Sequence, residues 1–123
     1  MNKINDTRPS VHIYEASANP IHLSEICAGL EEEGIPYAIF KASGDAKPLA
    51  NEAANHSKLR VGIGITTKYA ILQIRNSPVD VSQWDISNQD PVLHINLSNP
   101  ATNTNCRALG TNAARAVKGG VFI

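Results

Sequence analysis

Three adjacent glutamates, Glu31, Glu32 and Glu33, stand immediately before Gly34. A run of carboxylates suits a hard divalent cation, which takes oxygen ligands, and it suits a basic partner surface equally well. Spacing puts the run in the last turn of a helix that Gly34 closes. The macrodipole is negative there, so each exposed acidic charge costs about a few tenths of a kcal/mol. The residues alone favour a solvated patch, because surface costs of this size are small. A metal ion or a basic partner is the sharper alternative. A second charged group lies near the C-terminus, where Arg107, Thr111, Arg115 and Lys118 fall close to one stripe of a helix. Cys106, Leu109, Ala113 and Val117 supply the opposite, apolar face. This stripe too reads as solvated by default and as a contact face in the alternative. Gly110, inside the same helix, costs roughly 1 kcal/mol relative to alanine, which points to close packing.

Other chemistry is scarce. His12, His22, His56 and His94 are scattered, and none forms an HxxxH metal pair. Cys27 and Cys106 belong to no CxxC motif and read as two buried thiols, with a disulfide between them left open. There is no GxSxG nucleophile elbow and no Walker lysine motif, so the chain is expected not to hydrolyse ATP. Gly62-Ile63-Gly64 is the nearest approach to a phosphate-cradling loop, but it lies inside an apolar strand and lacks the third glycine. Glycines so placed mark close packing of a helix or a bulge.

These groups need a scaffold, and the chain has the length and composition of one. It holds 123 residues, 42% hydrophobic and 18% charged, with eleven basic residues balancing eleven acidic ones. That is globular rather than disordered, and neutrality gives no electrostatic case for nucleic acid or an anionic membrane. No apolar run approaches the ~20 residues that span a bilayer, and the polar N-terminus does not read as a signal peptide.

Alternation predicts strands over 10–14, 37–41, 59–65, 69–74 and 92–97. Asn19-Pro20 caps a first helix whose apolar face is Leu23, Ile26, Cys27 and Leu30. Asp45 and Pro48 start a second, with a stripe of Leu49, Ala50, Ala53 and Ala54, and a third runs over 105–118 to a Gly119-Gly120 stop. Three residues, Thr66 to Lys68, separate the third and fourth strands, which allows a hairpin but no crossover. The expected fold is a three-layer α/β/α sandwich with a mixed, mostly parallel sheet of about five strands. Residues 1–9 are expected to be a flexible arm and 10–123 a single domain; 76–91 lacks clear periodicity.

Three segments carry a family resemblance. Gly29-Leu-Glu-Glu-Glu-Gly-Ile-Pro-Tyr37 resembles the G-[LI]-E-E-[EQ]-G-[IV]-P segment of the small subunits of reactivating factors for adenosylcobalamin-dependent diol or glycerol dehydratases. Leu59-Arg-Val-Gly-Ile-Gly-Ile65 is similar to their L-x-V-G-I-[GA] strand. Arg107-Ala-Leu-Gly-Thr-Asn-Ala-Ala-Arg-Ala-Val-Lys118 is similar to their C-terminal R-x-x-G-x-N-A-[AG]-x-x-V-K helix. The segments fall in the family's order, and they also resemble the medium subunit of the dehydratase itself.

The resemblance implies a non-catalytic subunit. Its large partner, similar to chaperone-type ATPases, would bind and hydrolyse ATP in a heterotetramer of two large and two small subunits. The small subunit would mimic and exchange with the dehydratase medium subunit, hold the dehydratase large subunit transiently, and so let damaged cobalamin leave. The resemblance also implies that Glu32 helps bind Mg2+ at the junction with the large subunit, with Glu31, Glu33, Arg107 and Arg115 on the interface. It implies a cytoplasmic or microcompartment setting. Under the competing reading, a dehydratase medium subunit, Lys68 would lie near the cobalamin tail. Medium subunits usually carry a long N-terminal extension, and about ten residues precede the first strand here, which favours the reactivating factor. A small α/β enzyme or nucleotide-binding domain is the third reading.

Overall fold

A computed structural model describes residues 9–75, 93–98 and 102–118. Residues 1–8 of the arm expected over 1–9, the aperiodic stretch over 76–91 and the Gly119-Gly120 stop lie outside them. The described elements are β1 (Val11–Glu15), α1 (Pro20–Glu32), β2 (Tyr37–Lys41), α2 (Ala46–His56), β3 (Val61–Ile65), β4 (Tyr69–Ile74), β5 (Leu93–Asn96) and α3 (Thr102–Lys118).

One five-stranded sheet runs in the order β2-β1-β3-β4-β5. β1 pairs in parallel with β2 and with β3, while β4 pairs antiparallel with both β3 and β5. Four strands therefore share one direction and β4 opposes them. The short Thr66–Lys68 turn dictates that reversal, and β4 has antiparallel neighbours on both sides rather than on the β3 side alone.

Alternation along the strands sorts side chains onto two faces. Val11, Ile13, Val61, Ile63, Ile65, Ala70 and Leu72 join Ile26 and Leu30 of α1 and Cys106, Leu109 and Ala113 of α3 in one core. The opposite face carries α2, with Ala46 and Ala50 against Ile71. α1 and α3 thus form one outer layer and α2 the other.

Gly62 and Gly64 point at α2. A methyl group on Gly62 would lie 2.5 Å from the carbonyl carbon of Ala53 and still closer to the Ala54 nitrogen, and one on Gly64 would strike Ala46 and Ala50 backbone. The glycines therefore let the helix backbone lie directly on the strand, and the reading of close packing holds. All four residues expected in the α2 stripe, Leu49, Ala50, Ala53 and Ala54, are buried.

The α1 ends are those the sequence demands. The Asn19 side chain accepts a hydrogen bond from the Ile21 N–H at 2.8 Å, and Pro20 opens the helix. At the other end Gly34 takes φ 73°. The Gly34 N–H donates to the Glu31 carbonyl at 3.0 Å and the Ile35 N–H to the Leu30 carbonyl at 3.1 Å. This is a Schellman closure, and it fixes the direction in which Glu31 to Glu33 leave the helix.

Candidate functional site

α1 and α3 lie against each other through two glycines. A methyl on Gly29 would meet the Arg107 carbonyl oxygen and, at 2.7 Å, the Thr111 nitrogen; one on Gly110 would meet the Ile26 carbonyl. Each helix presents its glycine to the other's backbone, which accounts for Gly110 in a helix interior. The contact also brings the two charged groups of the sequence onto one ridge.

Arg107 reaches two carboxylates of α1. Its Nε and Nη2 both donate to Glu25 Oε1, each at 2.9 Å, and Nη1 donates to Glu32 Oε2 at 2.7 Å. Lys118 Nζ donates to Glu33 Oε1 at 2.9 Å. The Tyr37 hydroxyl, at the start of β2, donates a short hydrogen bond to Glu31 Oε2. The Lys118 ammonium holds the Glu33 carboxyl below its usual range, and the charge of Arg115 adds to the effect. Burial, followed by the bond to Glu31, pushes the Tyr37 phenol well above its usual value.

All three glutamates therefore have partners within the chain. The acidic run and the basic stripe, two solvated patches by the default reading, are the halves of one charged ridge. The partners Glu25 and Tyr37 were not anticipated. Glu25, Gly29 and Glu32 lie four and three residues apart on one face of α1, and that spacing was the available signal.

Lys68 is elsewhere. It follows β3 at the C-terminal end of the parallel strands, whereas the acidic turn precedes β2 at their N-terminal end. Cys27 and Cys106 are buried free thiols, and burial raises both, Cys106 to about 11. On the α2 face, His12, Tyr14, Phe40 and His56 share an aromatic cluster, with the Tyr14 hydroxyl 2.9 Å from His56 Nδ1.

The sequence matches the dehydratase medium subunit family over residues 8–122. It is 31% identical over 116 residues to the propanediol dehydratase-reactivating factor small subunit of Citrobacter freundii, covering 94% of this chain and 90% of that protein. The chain belongs to this family of dehydratase medium subunits and reactivating-factor small subunits. Two solved structures share its fold. A diol dehydratase-reactivating factor complexed with ADP and Mg2+ superposes with a TM-score of 0.77 at 27% identity, over 95% of this chain and 99% of that one. A glycerol dehydratase reactivase gives 0.76 at 26% identity, over 94% and 97%.

The family context bears on the metal. Among the described residues no group of three or more His, Cys, Asp or Glu side chains is arranged to hold an ion. The Glu32 side chain is 57% exposed and one of its oxygens is engaged by Arg107. Mg2+ keeps several waters and is usually held by one or two carboxylates plus phosphate oxygens. Among the described residues, the donors form no metal site held by this chain alone. Among the described residues, no helix is long and apolar enough to cross a membrane.

Proposed function

We propose that this chain is the non-catalytic, docking subunit of an ATP-dependent reactivating factor for adenosylcobalamin-dependent diol or glycerol dehydratase. The observation that carries the reading is the likeness, over nearly the whole length of both chains, to a solved diol dehydratase-reactivating factor. In this reading ATP is bound and hydrolysed by a large partner subunit, two of which assemble with two small subunits. The small subunit takes the place of a dehydratase medium subunit, and the imperfect fit opens the cobalamin pocket so that damaged cofactor leaves. The work proceeds in the cytoplasm or in a bacterial microcompartment.

The chemistry of the charged ridge supports a docking role. It offers carboxylates and cations in water, with no nucleophile and base paired for catalysis. Glu32 would supply one carboxylate oxygen to a magnesium ion at the junction with the large subunit, and the ion would neutralise charge there. Glu31, Glu33, Arg107 and Arg115 would line the same contact. Co-purification of the full chain from its native cell tests the reading: an ATPase partner is expected, and a stable complex with a dehydratase catalytic core alone would favour the medium-subunit alternative, in which Lys68 contacts cobalamin. Calorimetry of the pure chain with ATP is expected to give no saturable isotherm, and a saturable one would count against placing the nucleotide in the partner.

A further inference from the structure

β2 ends the sheet: among the described residues it pairs with β1 alone. In a parallel ladder, alternate residues turn their N–H and C=O groups to opposite sides. The Pro36 carbonyl accepts from the Val11 N–H at 3.0 Å, and the Ala42 N–H donates to the Glu15 carbonyl at 2.9 Å. Pro36, Ala38, Phe40 and Ala42 therefore face β1, and the backbone groups of Tyr37, Ile39 and Lys41 point outward along the free edge. Sheets blunt such an edge with a proline, a bulge or charges. β2 has no proline, and its register with β1 runs unbroken from Tyr37 to Lys41. Lys41 supplies one charge at the strand's end, while Ile39 at its centre is 38% exposed.

We propose that this edge pairs with the same edge of a second copy of the chain, antiparallel, about a two-fold axis at Ile39. The strand is self-complementary about that residue. Ile39 meets Ile39 of the second copy and Tyr37 meets its Lys41, so every outward-facing residue exchanges both backbone bonds, about six in all. A shift of one residue would set outward groups against inward ones. The side chains fit the same register. Tyr37, Ile39 and Lys41 share the sheet face of Val11 and Ile13, on the α1 side. There the two Ile39 side chains cover each other. Lys41 has no ion-pair partner among the described residues, and the pairing carries it to the second copy's Tyr37, whose hydroxyl holds the Glu31 carboxylate. On the α2 side Phe40, braced by the rings of His12 and Tyr14, falls opposite Ala38 of the second copy, large against small. The pairing stands apart from the reading of a reactivating factor, because it follows from the edge of β2 alone.

The test is sedimentation equilibrium of the full chain between about 10 μM and 1 mM, the range of a weak interface. The mass of wild type is expected to rise from 13.2 kDa towards twice that value. I39P removes an outward N–H and leaves the β1 ladder intact, as proline at a free edge does, and it is expected to stay at the monomer mass throughout. Should I39P not fold, I39K sets like charges across the axis and serves with the same expected loss. Register is read by cross-linking. Cα atoms of a hydrogen-bonded antiparallel pair lie about 5.5 Å apart, within disulfide reach, so I39C is expected to give a covalent dimer under mild oxidation. K41C, which faces position 37 of the second copy, is expected to give none, and Cys27 and Cys106 are buried. A wild type that stays monomeric at the highest concentration overturns the proposal. So does an I39P chain that associates like wild type, or cross-linking of K41C as readily as I39C.

Discussion

On one face of the sheet α2 lies directly on Gly62 and Gly64; on the other, α1 and α3 meet through Gly29 and Gly110 and carry their charges outward. Both faces use glycine to bring backbones together, but for different ends. Under α2 the contact is helix to strand, and what surrounds it is alanine and an aromatic-histidine cluster. Between α1 and α3 the contact is helix to helix, and it places long charged side chains of one helix within reach of the other. Under α2 close backbone approach serves packing; between α1 and α3 it also aligns charges along a rim, the surface we propose for docking.

The sharpest way to break the comparison is at the α2 face. Gly62→Ala sets a methyl group against main-chain atoms of Ala53 and Ala54, which no rotamer change relieves. A loss of about 1–3 kcal/mol is expected, the range for overpacking a closed core, read from urea unfolding midpoints. An unchanged midpoint would mean that α2 can lift off the strand cheaply, and that its contact is not what closes this face.

A weaker effect on the same face concerns acid. Burial, and then the nearby His56, lowers the pKa of His12. The folded state then binds this proton less readily than the unfolded chain, so stability falls as the pH drops below 6.5, the ordinary histidine value. His12→Phe is expected to flatten the thermal midpoint between pH 7 and 5 relative to wild type. Parallel pH profiles in the two proteins would contradict the assignment.

The smallest effect belongs to the rim of the other face. Glu33 has its pKa lowered by Lys118, so its contribution is present above the usual carboxylate value and is lost as pH falls through the depressed one. The pair is exposed and screened by salt. Lys118→Gln is expected to leave the unfolding midpoint within error of wild type and to return the Glu33 carboxyl towards its ordinary titration, followed by NMR. A Glu33 titration that stays depressed in the variant would exclude Lys118 as the cause.

Much of this architecture was readable from local pattern. The β1–α1 junction followed from Asn19-Pro20, the α1 stop from Gly34, the α2 stripe from its alanines, and the reversal of β4 from the three-residue turn before it. What escaped the sequence was long-range. Arg107 meets Glu25 and Glu32 across 82 and 75 residues, and no periodicity encodes such a pairing, so the acidic turn and the basic stripe read as separate patches. Gly110 gave a hint of close packing but not the identity of its neighbour, Gly29. The start of α3 at Thr102 rather than 105 was likewise hidden; the Thr102 hydroxyl donates to the Leu97 carbonyl at 3.2 Å and ties the helix start to the end of β5. The three family segments supplied a function that the individual side chains do not announce.

The central claim is that the charged ridge at the end of α1 is the docking surface. Its most direct test is surface plasmon resonance of the E31K/E32K double variant against immobilised large subunits of the reactivating factor and of the dehydratase, with circular dichroism to verify folding. Charge reversal places like charges where a cation is expected; it also removes the Tyr37 and Arg107 bonds of these two exposed side chains, for which a stability loss of roughly 1–3 kcal/mol is expected. The account predicts a folded protein that binds neither large subunit at wild-type strength. A folded variant that keeps full affinity for both would contradict it, and one that loses a single partner would show that the two hosts use different faces.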